Sequence, residues 1–376
     1  MRPSTRFIHT ADWQLGFRAG FIPGDAGALV RNQRFETLRE IGNVARETKA
    51  EFIVVAGDVF EDHGLRPATL HGAFEAMAEI PAPIYLLPGN HDPLSSDALY
   101  RSELWRRECP RHVHLLGSRE PVIVREGVAL LGCPLFERHT LGDVTEHLTP
   151  ELGPGDHVRI GVAHGGIKEF LERVAGDGER VHNAIPADRA SRARLDYLAL
   201  GDWHGRLRID ERTWYSGTPE ATHFTEKDPG SVLVVEIDAP GAAPRVTPRP
   251  VAGLVWERAE RHLDGAADLV ELERHLDGFA RKGITLLELT LTGAIDASTR
   301  ARLDELMEAA RHRFRFLRLR DERLKTVADE ADAANLPAEG WLGQAVARLR
   351  GPIDGTSEVE RAEALRLLLR LYRAAS

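Results

Sequence analysis

The chain has 376 residues, with 49 Lys and Arg against 58 Asp and Glu, a net charge of −9, 43% apolar residues and 28% charged residues. At roughly 150 residues per domain this predicts two domains with ample core, and it excludes a disordered or fibrous chain. The acidic balance excludes an overall basic coat, although a local basic groove remains compatible with it.

In chain order, Phe7-Ile8 opens a first strand, and Phe35, Leu38, Ile41 and Ala45 give helical spacing within a stretch from about Leu29 to Glu47. A strand at Phe52–Val55, a helix starting near Pro67 and a strand at Ile84–Leu87 follow. Further apolar runs occupy Val128–Leu131, Ile160–Ala163 and Tyr197–Leu200. This alternation predicts right-handed crossovers and a largely parallel sheet covered on both faces. After about residue 205, Thr213–Tyr215 and Ser231–Glu236 predict an antiparallel finish, with the Pro/Gly/Ala-rich stretch 239–244 as a loop between strands.

A domain break is expected near residue 250. Beyond it, a helix at 267–282, a strand at 285–291, a helix at 298–311 and a strand at 314–319 predict a small α+β domain over 251–321. Residues 322–376 read as a linker and two helices separated by Gly351-Pro352. The second helix opens on a capping box, Ser357 with Glu360, and carries Leu365, Leu368, Leu369 and Tyr372 on one face. Leu367 and Leu371 lie outside that face, so its surfaces either pack on their own domain or dock a partner. Two cysteines, Cys109 and Cys133, are too few for a disulfide framework or a thiolate metal cage. With no apolar signal region and no run of 18 apolar residues, the expected location is cytoplasmic, without a membrane segment.

Five strand-like runs each lead into side chains that can bind a metal. They are His9-Thr10-Ala11-Asp12-Trp13-Gln14, Ala56-Gly57-Asp58, Gly89-Asn90-His91-Asp92, His164-Gly165-Gly166 and Gly201-Asp202-Trp203-His204. Ligands of α/β sheets bind beyond the carboxyl ends of the strands, so these groups can converge. Any one of them could be a helix cap or turn residue. Five together, with glycines beside Asp58, Asn90, His164 and Asp202, favour a shared metal centre. Oxygen and imidazole donors without thiolate suit manganese first, with iron, magnesium or zinc as alternatives. Carboxylates near one point repel unless cations neutralise them. Two divalent ions would do so, and could stabilise the attacking and leaving oxygens of a phosphoryl centre.

These blocks resemble, in order and spacing, those of the calcineurin-like metallophosphoesterases, and within them the SbcD-type DNA repair exonucleases. The family blocks D-x-H, G-D-x-x-D/N, G-N-H-D/E, a lone His and G-H-x-H read here as Asp12-Trp13-Gln14, Gly57-Asp58-Val59-Phe60-Glu61-Asp62, Gly89-Asn90-His91-Asp92, His164 and Gly201-Asp202-Trp203-His204. The resemblance spans about residues 6–237. It implies a metallophosphoesterase-type layered α/β fold over 1–250, a small α+β capping domain and a C-terminal helix pair. It also implies Asp12 and His204 at a first metal, Asn90 and His164 at a second, and Asp58 bridging them. His91 would assist at the phosphate by proton donation or charge stabilisation. Asp92 would either orient His91 or serve as a turn residue.

Gln14 and Asp202 stand where the family has histidines. Both are expected as ligands, Gln14 with a neutral amide oxygen and Asp202 with a carboxylate that favours a harder ion. Arg18 and Arg66 are candidate phosphate contacts, with solvated arginines as the alternative. His9, His63 and His223 are set aside as structural or surface residues. The implied function is a two-metal DNA exonuclease acting in repair with an SbcC-like coiled-coil ATPase, which would dock on the C-terminal helices; such proteins are commonly homodimers. The alternatives are a small-molecule or nucleotide phosphodiesterase or phosphatase, and a catalytically weak scaffold, which Gln14 would favour.

Overall fold

Strands buried on both faces need apolar side chains at every position, and this requirement shapes the N-terminal part of the chain. The computed structural model describes residues 4–174, 181–327, 340–353, 355–357, 360–361, 364–365 and 367–368. Contacts divide the chain into two compact units, Met1–Leu254 and Val255–Ser376.

The first unit begins β1 (Thr5–Thr10), α1 (Gly24–Thr48), β2 (Phe52–Val55), α2 (Pro67–Ala78), β3 (Ile84–Leu86), α3 (Glu103–Glu108) and β4 (Val113–Leu115). It continues through β5 (Val122–Arg125), β6 (Val128–Cys133), β7 (Val158–His164), β8 (Gly166–Ile167), α4 (Lys168–Val174), β9 (Ala184–Ile185) and α5 (Arg189–Arg192). It ends with β10 (Tyr197–Gly201), β11 (Leu207–Arg208), β12 (Thr213–Tyr215), β13 (Ser231–Ile237) and β14 (Arg245–Pro250).

These strands form two six-stranded sheets, ordered β14-β13-β1-β2-β3-β4 and β11-β12-β10-β7-β6-β5, and a small β8-β9 pair. The single, largely parallel sheet expected from the strand–helix alternation is therefore two mixed sheets. The β5–β6 hairpin, which turns at Gly127, starts the second one. β13 returns to pair antiparallel with β1, and the 239–244 stretch is the loop from β13 to β14.

Alternating side chains sort into separate cores. Phe7, Phe52, Val54 and Tyr85 of the first sheet pack with Leu130, Ile160, Val162 and Tyr197 of the second. Phe7 stacks on Phe52 at 5.1 Å between ring centroids and meets Tyr197 edge-on at 5.6 Å. On the opposite face of the first sheet, Ile8, Ile53 and Ile84 pack against Leu38 and Ile41 of α1 and Met77 of α2. On the outer face of the second sheet, Leu131, Ala163 and Leu198 pack with Ile185, Ala190 and Leu195.

In the second unit β15 (Val255–Leu263), α6 (Ala266–Asp277), β16 (Thr285–Asp296), α7 (Ala297–Arg313) and β17 (Phe316–Val327) form a three-stranded parallel sheet with two helices. Leu287, Leu289 and Leu291 of β16 pack with Leu269, Leu272, Leu303 and Met307 of the helices. β15 was not among the expected strands. Its charged residues lie on the more exposed positions of the strand, so it lacks a continuous apolar run.

A further helix, α8, spans Gly340–Arg350. The capping box forms as a reciprocal pair, Ser357 N donating to Glu360 Oε2 at 2.7 Å and Glu360 N to Ser357 Oγ at 3.3 Å. Leu365 packs with Val346, Leu349 and Leu368, and Leu367 is exposed. Leu369, Leu371 and Tyr372 lie outside the described residues. Among the described residues no helix is long and apolar enough to cross a membrane.

Phe52 is fully buried between the two sheets. Phe52→Ala is expected to cost about 3–5 kcal/mol, read as a lower urea midpoint with an unchanged denaturant slope.

Candidate metal centre

The parallel strands of each sheet end level with one another. Thr10 pairs with Val55 and Val55 with Leu86 in the first sheet, and Gly201 pairs with His164 in the second. Past these ends the backbones stay joined, with Asp12 N bonded to Gly57 O at 3.0 Å and Gln14 N to Asp58 O at 2.9 Å. Glycine makes the close approach between the sheets possible. A Cβ on Gly57, whose φ is +95°, would lie 2.1 Å from His164 Nδ1, and one on Gly201 would lie 2.0 Å from Ala56 O. Asp12, Gln14, Asp58 and Asp202 themselves adopt positive φ, at 54°, 44°, 51° and 96°. Side-chain-bearing residues rarely take that conformation, and it costs about 1–3 kcal/mol each.

Asp12, Asp58 and His164 are buried and offer ligand atoms within 4.8 Å of one another. His164 Nδ1 lies 2.8 Å from Ala56 O, which requires a proton on that nitrogen, so Nε2 is the atom turned to the cluster. Nε2 stands 2.8 Å from Asn90 Oδ1, 3.3 Å from Asp58 Oδ1 and 3.8 Å from Asp202 Oδ1. The space among these lone pairs calls for positive charge, either a proton on Nε2 or a cation. With its amide turned half a revolution, Asn90 would instead donate to His164 Nε2 and to both Asp58 oxygens at 3.1 Å. The donor set therefore fits a divalent ion when the Asn90 oxygen faces inward.

Electrostatics point the same way. Burial pushes the Asp12 carboxyl up to about 7 against the pull of His204 and His164. Burial also opposes charge on Asp58, but His164 and then His91 outweigh it and hold the carboxyl below its ordinary value. His164 resists its own burial because Asp58, Asp12 and Asp202 face it, and it stays protonated well above the usual imidazole range.

Gln14 and Asp202 both reach the centre. Asp202 N donates to Asp12 Oδ1 at 3.1 Å, and burial raises its own carboxyl. The Gln14 amide nitrogen lies 3.1 Å from His204 Nε2. His204 Nδ1 lies 2.6 Å from Glu226 Oε1, which assigns the proton to Nδ1 and leaves Nε2 for the centre. Burial would lower His204, but Glu226 and Asp12 lift it to about 9. Glu226 is steadied by Thr222, whose backbone N donates to Oε2 at 3.0 Å and whose hydroxyl donates to Oε1. Sequence reading missed Glu226, which follows no strand-like run and approaches His204 only through the fold.

His91 lies at the edge of the centre, its backbone N bonded to Asp58 Oδ1 at 2.9 Å and its Nδ1 3.0 Å from Glu61 O. The ring is thus anchored by that carbonyl. Asp92 is fully buried and accepts from Gly89 N at 2.8 Å, Phe60 N at 3.0 Å and the Tyr100 hydroxyl. Its carboxylate ties together the loops that follow β2 and β3. Arg34 of α1, also missed, donates to Trp13 O at 2.8 Å and to Glu220 O and Ala221 O at 3.1 Å, pinning the first loop from behind. Arg18 pairs with Asp62 at 3.0 Å and is 80% exposed, and Arg66 precedes α2 on the surface. Both line a neighbouring groove of about 730 Å³ together with Arg31. His9 is buried between Tyr197 and Leu200 O, and burial lowers it to about 3, so it is a neutral core residue. His63 contacts Ser95 and Leu99, and His223 is exposed.

Residues 5–235 match the family model described as calcineurin-like phosphoesterase. The chain is 24% identical over 375 residues to an uncharacterized metallophosphoesterase, YhaO, of Bacillus subtilis, covering 91% of this chain and 87% of that protein. It is 26% identical over 278 residues to the SbcD component of the nuclease SbcCD of the same organism, covering 63% and 67%. It is 26% identical over 184 residues to the DNA double-strand break repair protein Mre11 of Archaeoglobus fulgidus, covering 44% and 40%.

Gly57→Ala is expected to weaken manganese binding by about 10- to 100-fold, measured by titration calorimetry on the folded variant. Below about pH 9 His204 carries a second proton, on Nε2, besides the one it gives to Glu226, and a metal that takes Nε2 must expel it. Manganese affinity should therefore rise as pH is raised from 6 towards 9, with proton release read from calorimetry in buffers of different ionisation enthalpy; a pH-independent affinity would exclude this ligand.

Proposed function

Starting from the membership of this chain in the calcineurin-like phosphoesterase family, and hence from a metal-dependent phosphoesterase, we propose that it is a DNA exonuclease that hydrolyses phosphodiester bonds in DNA repair. The observation that carries the phosphoester chemistry is the convergence of Asp12, Asp58 and His164 at the strand ends. The DNA substrate is supported by the similarity to the SbcD component of SbcCD and to Mre11.

In this reading Asp12, Gln14 and His204 would hold one divalent ion, Asn90, His164 and Asp202 would hold the other, and Asp58 would serve both. Manganese is the first choice, because the set mixes carboxylate, amide and imidazole donors without thiolate. Such ions, when bound, polarise the phosphoryl oxygens and lower the pKa of water. The protein's own groups orient and protonate. Glu226 fixes the His204 tautomer, and the Ala56 carbonyl fixes that of His164. The Glu61 carbonyl takes the His91 Nδ1–H, which leaves Nε2 as the free ring nitrogen; in the imidazolium form it is the Nε2 proton that would pass to the departing oxygen, leaving the Nδ1–H imidazole. Asp92 keeps the two flanking loops in register and so acts as a positioning residue. Arg18 and Arg66 offer phosphate contacts along the adjoining groove.

An SbcC-like coiled-coil ATPase is the proposed partner, docking on the C-terminal helices, and the working form is a homodimer. The α+β domain expected over residues 251–321 serves as a cap. A small-molecule or nucleotide phosphodiesterase or phosphatase is the second reading, because the family membership carries the phosphoester chemistry and leaves the substrate open.

With manganese and DNA labelled at either end, wild-type protein is expected to release nucleotides from one end. His91→Ala should lower kcat by about 10²- to 10⁴-fold while retaining metal. Turnover of a chromogenic diester without DNA cleavage under any metal would move the assignment to the second reading.

A further inference from the structure

Trp203 lies between two residues of the metal centre, Asp202 and His204, yet its indole is 51% exposed. A single exposed aromatic is ordinary on a protein surface; what sets Trp203 apart is its place between two residues of the centre and in a cleft. The residue lines a cleft of about 430 Å³ with Asp202, His204, His223 and Lys227. That volume accommodates a nucleobase and its sugar.

The cleft is built rather than incidental. The 204–206 turn packs on the 226–228 turn through Arg206 N bonded to Asp228 O at 3.3 Å and the His204–Glu226 contact at 2.6 Å. Gly205 permits this approach, since a Cβ there would lie 2.2 Å from Lys227 O and 3.0 Å from Trp203 Nε1. On the other side His223 meets the Phe21 ring edge-on, 6.1 Å between centroids. Lys227 has no carboxylate partner among the described residues, so the cleft borders an unneutralised cation.

We propose that this cleft receives the nucleobase next to the scissile phosphate, with Trp203 as its stacking platform. The inference rests on the DNA reading above and adds a subsite to it. The cleft shares Asp202 and His204 with the phosphate-binding centre, and a base lies only one sugar away from its phosphate. Aromatic stacking tolerates every base, because each presents a π-face, so the subsite would select nucleotides over plain phosphate esters without reading sequence. Lys227 at the border suits the neighbouring phosphate of an extended strand.

The test compares kcat/KM on an intact single-stranded oligonucleotide with that on one whose terminal nucleotides are abasic, using the full chain with manganese. Wild-type protein is expected to favour the intact strand by about 5- to 150-fold, the range for one stacked base. Trp203→Ala should bring this ratio close to one, and Trp203→Phe should restore most of it. Because each ratio is internal to one protein, a change in metal content of the variant does not mimic the effect. Indole fluorescence supplies a readout without turnover: a phosphorothioate dinucleotide should quench wild-type emission more than that of Trp203→Phe. Equal hydrolysis of intact and abasic strands by wild-type protein, or a ratio unchanged in Trp203→Ala, would overturn the subsite and leave the DNA reading standing. Failure to cleave any DNA while a chromogenic diester is turned over would overturn both.

Discussion

Asp12 and Asp58 lose their hydration where the two sheets meet, and two carboxylates so close together raise the free energy of the fold unless positive charge lies between them. The surrounding structure answers that requirement. His164 comes from the opposite sheet to face Asp58, backbone amides of His91 and Asp202 donate to the two carboxylates, and Glu226 stands behind His204 as the balancing anion. The positions of these groups follow from where strands end, so the two-sheet architecture and the chemistry share one geometric origin.

Much of this was legible in the chain. A buried strand is a short run of apolar residues, and the polar residue that breaks the run marks the place where the backbone leaves the sheet. Asp58, His164 and Asp202 carry that signature and meet at the centre; Asp12 joins them from two residues past the end of β1, whose apolar run is broken earlier, inside the strand, by the buried His9. The glycine neighbours were legible for a related reason, since Gly57 and Gly201 stand where another element touches the backbone. The separation into two sheets was not legible, because strand order in the sequence carries no mark of which sheet a strand joins. β15 was hidden by its charges, as a strand that packs on one side reads as a polar segment.

The residues missed at the site have a common character. Glu226, Arg34 and Tyr100 act on residues far along the chain: Glu226 on His204, Arg34 on the carbonyls of Trp13 and Glu220, Tyr100 on Asp92. Their value comes from what the fold brings against them. No local pattern distinguishes them from the many other charged or phenolic side chains of the sequence.

The left-handed backbone of Asp12, Gln14, Asp58 and Asp202 has a consequence for how this protein would respond to selection. Glycine would relax each of these positions, so the conformational cost falls on the very side chains that form the centre. At these four residues robustness and chemistry pull in opposite directions. With the four side chains in the metal-holding role proposed for them, a laboratory screen that rewarded heat resistance alone would drift towards glycine there at the expense of turnover, whereas one that also demanded turnover would have to gather its stabilising changes elsewhere.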